Sequence, residues 1–83
     1  MARGYRISLE LEPQPEGGYT VTCPDLPELI TEGDTVEEAL DNARDAFVAV
    51  FEIYEEQGRG IPARLAQDLQ GERIVTEQLV AMA

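Results

Sequence analysis

Residues 33–58 read Gly33-Asp34-Thr35-Val36-Glu37-Glu38-Ala39-Leu40-Asp41-Asn42-Ala43-Arg44-Asp45-Ala46-Phe47-Val48-Ala49-Val50-Phe51-Glu52-Ile53-Tyr54-Glu55-Glu56-Gln57-Gly58. Asp34 or Thr35 can cap a helix, and Thr35-Val36-Glu37-Glu38 has the capping-box pattern in which Glu38 reaches back to the cap amide. Val36, Leu40, Ala43, Phe47, Val50 or Phe51, and Tyr54 then recur at steps of three or four. One apolar stripe therefore runs through about 22 residues, roughly 33 Å of helix, and Gly58 is a natural stop. Ala39, Ala46, Val48 and Ala49 widen the apolar surface beyond what one face of a small sheet needs, which is room for a second subunit.

Upstream, Tyr5, Ile7, Leu9 and Leu11 alternate with Arg6, Ser8, Glu10 and Glu12, the period of a strand with one buried and one wet face. Tyr19, Val21 and Cys23 repeat the pattern against Thr20 and Thr22. Between them Pro13-Gln14-Pro15-Glu16-Gly17-Gly18 cannot continue a ladder, so the two runs form an antiparallel hairpin. Pro24 and Pro27 stop regular pairing around Asp25-Leu26, and Leu29-Ile30-Thr31 offers a short third strand before Gly33 turns the chain. Downstream, Pro62, Leu65, Ala66 and Leu69 suggest a short helix or turn ending at Gly71, and Arg73-Ile74-Val75-Thr76 reads as a fourth strand. The expectation is one α+β domain over residues 1–83: an antiparallel three-stranded sheet, a long helix, and a fourth strand in two layers, β-β-β-α-β.

Composition excludes more than it proposes. In 83 residues, 43% of them hydrophobic, folding hides only roughly 60–65% of the unfolded surface, so oligomerisation is expected. Seventeen Asp and Glu face six Arg and no Lys, a formal charge of −11 that repels phosphate backbones and argues against nucleic-acid binding. No His is present, which rules out His-dependent triads, His general bases and His-ligated zinc. Asp25, Glu28, Glu32 and Asp34 lack calcium-loop spacing and read as exposed loop acids, so no metal or other cofactor is expected. Cys23, in phase with Tyr19 and Val21, reads as a small buried hydrophobe, and with no second cysteine the compartment is reducing. The longest apolar run, residues 46–51, spans no bilayer; the reading is a soluble, cytoplasmic, non-enzymatic protein.

The charge is not spread evenly. Residues 25–57 hold eleven acidic side chains against Arg44 alone, so ten of the eleven excess negative charges lie there. Glu37 with Asp41, Asp41 with Asp45, and Glu52 with Glu56 are like charges at i,i+4, each costing a few tenths of a kcal/mol. Glu55 and Glu56 also sit at the negative end of the helix dipole. Two readings of this face stand side by side: a solvated surface that keeps an oligomer soluble, and a docking surface for a basic partner built on Glu37, Asp41, Asp45 and Glu52.

Gly17-Gly18-Tyr19-Thr20-Val21, then Pro24-Asp25-Leu26-Pro27, then Thr31-Glu32-Gly33-Asp34-Thr35-Val36-Glu37-Glu38-Ala39 onward to Ala43 resembles, in order and spacing, the N-terminal domain of HicB-type antitoxins. The likeness runs from about Tyr5 to Pro62. It implies a β-β-β-α-β fold, oligomerisation, and binding to a small HicA-type toxin, an RNA-cleaving partner whose basic active-site face the antitoxin covers. The motif residues are structural first, since the turn and cap aim the helix across the sheet. Glu28-Leu29 stands where the family often has Gly-Cys. Family antitoxins often carry a C-terminal DNA-binding module; about twenty residues follow Pro62, without a basic cluster, so none is expected here. The alternative is an orphan homo-oligomeric domain of the same family with a structural or regulatory protein-binding role and no toxin.

Overall fold

The computed structural model describes residues 3–71 and 73–82. Strands β1 (Arg3–Tyr5), β2 (Glu10–Pro13), β3 (Tyr19–Thr22) and β4 (Ile30–Gly33) precede helix α1 (Val36–Glu56), a 3-10 turn (Ala63–Leu65) and strand β5 (Ala66–Asp68). The order is β-β-β-β-α-β, and the strands form two sheets rather than one. β2, β3 and β4 pair antiparallel in that order, while β1 pairs antiparallel with β5.

The β-β-β-α-β expectation is therefore corrected at two places. The alternation from Tyr5 to Leu11 gives the side chains their directions, but it does not specify a ladder, and the run is split between two partners. Leu11 lies opposite Val21 and Glu10 opposite Thr22; two residues further the register would oppose Ser8 to Pro24, which has no N–H to give. There the chain curls, with the Leu26 amide bonding the Cys23 carbonyl. On the other side Tyr5 pairs with Ala66 and the Arg6 amide donates to Leu65 O at 2.8 Å, after which residues 63–65 coil into the 3-10 turn. Residues 7–9 are left between two ladders.

The second correction concerns the last strand. It lies at Ala66–Asp68, where a helix or turn is the sequence reading, and Arg73-Ile74-Val75-Thr76 joins no strand. Access to the free edge of Arg3–Tyr5 outweighs the stronger β propensity of Ile74 and Val75.

The hairpin turn closes as its composition requires: Gln14 and Gly18 bond across it, and Gly17 and Gly18 take φ of 104° and 81°, values that side-chain-bearing residues disfavour. Inside, Cys23, Leu26, Leu29, Val50 and Tyr54 form one buried cluster and Val21, Ala39 and Ala43 a second, with half-buried Leu9 touching both. Tyr5, Phe47 and Phe51 stack at 5.4–6.3 Å between ring centroids along the flank. α1 lies over β4 and β3. Among the described residues, no helix is long and apolar enough to cross a membrane.

Candidate functional site

The site is carried by α1, and its two ends explain why the helix is so regular. Thr35 is the N-cap, its hydroxyl accepting the Glu38 amide at 3.1 Å. The Glu38 carboxylate reaches back one residue further than the capping-box pattern predicts, accepting the Asp34 amide at 2.9 Å. At the other end Gly58 takes φ of 69°, its amide bonding Glu55 O and that of Arg59 bonding Tyr54 O. Those paired 5→2 and 6→1 bonds satisfy carbonyls that would otherwise be orphaned.

With Ala39, Ala43, Val50 and Tyr54 buried against the sheet, the opposite face is fixed by the 3.6-residue period. Glu37, Asp41, Asp45 and Glu52 fall within an arc of about 80° on that face and are all exposed. The four predicted residues thus share one stripe. Arg44, the only cation of α1, spends its charge on Asp41 at 2.7 Å, with both side chains about 70% exposed, an arrangement worth little in water. Among the described residues no cation lies within ion-pair distance of Glu37, Asp45 or Glu52. Val48, 56% exposed, interrupts the stripe with an apolar side chain.

The motif residues divide into framework and latch. Tyr19 heads β3 opposite Gly33, Leu26 and Ala39 are fully buried, and Asn42 caps the edge of β4 by donating to Glu32 O at 2.8 Å. Gly33 is buried for a reason its turn role does not reveal: a Cβ there would lie 2.6 Å from Ala39 Cα and would collide with the Ala39 amide nitrogen. Only a glycine lets the start of α1 sit directly on β4.

Asp25 and Glu28, which read as exposed loop acids, are both held by arginines from beyond the helix. Arg64 pairs with Asp25, and Arg59 pairs with Glu28 at 3.0 Å. The buried Tyr54 donates its hydroxyl to Glu28 at 2.7 Å, and the Arg59 guanidinium stands 4.0 Å above the Tyr54 ring. The Tyr54 hydrogen bond, and after it that of Arg59, holds the Glu28 carboxyl below the ordinary carboxylate range. The same bond to Glu28, and then burial, raises the Tyr54 phenol. Partners 26 and 31 residues apart leave no local spacing to read, so sequence reasoning missed this latch entirely. These two loop acids are part of the framework, while Glu37, Asp41, Asp45 and Glu52 stay exposed on α1.

A family model described as the HicB-like antitoxin of bacterial toxin-antitoxin systems matches residues 4–80. The chain is similar to Antitoxin HicB 1 of Photorhabdus laumondii, 50% identical over 60 residues, which is 72% of this chain and 39% of that protein. It is 46% identical over 57 residues to Antitoxin HicB of Escherichia coli K12, covering 69% of this chain and 41% of the relative. Antitoxin HicB of Pseudomonas fluorescens is 34% identical over 71 residues, 86% of this chain and 48% of that protein. The chain therefore spans two-fifths to one-half of the curated relatives it matches. With the capped helix, its glycine-dependent seat on β4 and a family match over almost the whole sequence, the chain belongs to the HicB-like antitoxin family of bacterial toxin-antitoxin systems.

Proposed function

We propose that this chain is a non-enzymatic antitoxin of the cytoplasm that forms a homo-oligomer and neutralises a small basic ribonuclease toxin of the HicA type by covering its RNA-binding face. The observation that carries the proposal is the uncompensated stripe of Glu37, Asp45 and Glu52 with Asp41 beside them. A surface that attracts arginines and lysines while repelling phosphates suits an inhibitor that competes with RNA for a basic groove. No direct contact with nucleic acid is part of this reading.

Co-expression with a HicA-type toxin tests it. The wild-type chain restores growth and co-purifies with the toxin in a complex that weakens as salt rises. The triple variant E37K/D45K/E52K folds, because all three side chains are exposed, and fails in both respects. Rescue by the triple variant equal to wild type would sink the assignment of this face.

A second reading is favoured by exposed apolar side chains at Ile30, Val48 and Ile53. In it the chain is an orphan homo-oligomeric domain with a structural or regulatory protein-binding role, and its acidity serves solubility. The triple variant would then change neither partner recovery nor growth.

A further inference from the structure

Residues 7–9 are an interrupted strand with one wall of a groove above them. Among the described residues, Ile7, Ser8 and Leu9 make no backbone–backbone hydrogen bond, since the β1 ladder ends with the Arg6 amide and the β2 ladder begins at Glu10. Ile7 and Leu9 turn their half-buried side chains toward Leu40 and Phe47, and these four line a cavity of about 320 Å³ whose far wall includes Gln78 and Leu79. Among the described residues, 76–80 likewise make no backbone–backbone hydrogen bond. Two unpaired stretches of backbone therefore line one groove, whose walls also include Arg6, Arg44 and Glu77.

The C-terminal segment has the composition of a strand and is already tethered beside this groove. The Gln67 side-chain amide on β5 accepts the Val75 amide at 3.0 Å and donates to Val75 O at 2.5 Å, as a neighbouring strand would. Just beyond that tether, Leu79 and Val80 are 61% and 70% exposed. Exposed apolar side chains are costly, and an unpaired strand edge offers ready donors and acceptors to an incoming strand, so one movement serves both.

We propose that the groove along Ile7, Ser8 and Leu9 is a strand-accepting site and that its occupant is this chain's own segment 76–80, which closes on it as an added strand. Closure places Leu79 over Ile7, Leu9, Leu40 and Phe47 and supplies hydrogen-bond partners to the interrupted edge. A second copy is the weaker occupant. The Gln67–Val75 tether keeps the chain's own segment at a high effective concentration, whereas a second copy has to be captured from solution.

Amide hydrogen exchange on the intact chain decides the matter. The amides of Ile7, Ser8 and Leu9 exchange at least about tenfold more slowly in wild type than in L79D/V80D, with the α1 amides unchanged as the control for folding. Equal exchange in the two proteins overturns the proposal. Should the double variant disturb α1, L79S is the milder version and is scored by the same criterion. Protection must also be independent of protein concentration; protection that grows with concentration assigns the groove to a second copy and defeats the intramolecular assignment.

Discussion

Glu28 sits between Pro27 and Leu29 in what its neighbours mark only as a turn, yet it is the acceptor at the centre of a three-residue cluster with Tyr54 and Arg59. Its folded carboxyl titrates below its ordinary value, so its contribution to stability is complete above about pH 4.3, the unfolded value, and is lost as pH falls through the lower folded one. Tyr54 has the opposite sign. Its raised phenol contributes fully below about pH 10 and loses that contribution as pH rises through the folded value. Thermal unfolding from about pH 3 to about pH 11 should therefore give E28Q a shallower acid limb than wild type, while Y54F is flattened at both ends. Curves that differ only by a constant offset would remove the cluster from the pH dependence.

At the scale of elements, the junction between β4 and α1 carries the tightest constraint. Gly33 permits helix backbone to rest on strand backbone, with the Thr35 cap beginning the helix immediately after. G33A is expected to cost at the upper end of the roughly 1–3 kcal/mol of overpacked cores, because the obstacle is backbone and cannot rotate away. G60A, where an added Cβ meets nothing and φ is unexceptional, stays within about 0.5 kcal/mol. Denaturant midpoints of the two variants measure the difference, and equal midpoints would refute the contact. Neither glycine is distinguishable from the other by local sequence; both simply look like turn formers. The helix, by contrast, was legible to within a residue or two, since cap, period and stop are all local. The division of residues 3–13 between β5 and β3 was not, because alternation encodes the facing of side chains and leaves hydrogen-bond partners open.

Over the whole molecule, the −11 charge becomes a stripe of carboxylates with one ion-paired arginine at its margin. Three like-charge i,i+4 pairs at about 0.2–0.5 kcal/mol each leave on the order of 1 kcal/mol to be recovered by screening. The melting temperature should accordingly rise by a few degrees between about 0.01 and 0.3 M salt, a range that cuts the Debye length from about 30 Å to below 8 Å. A melting temperature that falls with salt would mean that the three arginine pairs outweigh the repulsion.

What the sequence determined by itself was the helix, its acidic face, the hairpin turn and the motif that marks the family. Each depends on residues within a few positions of one another, where period, capping and backbone φ preferences act directly. Tertiary structure alone decided which edge β5 joins, why Gly33 has no side chain, and that Asp25 and Glu28 are held by Arg64 and Arg59. Those outcomes depend on approach between segments tens of residues apart. There the free energy lies in steric exclusion and in hydrogen bonds whose partners no local pattern names.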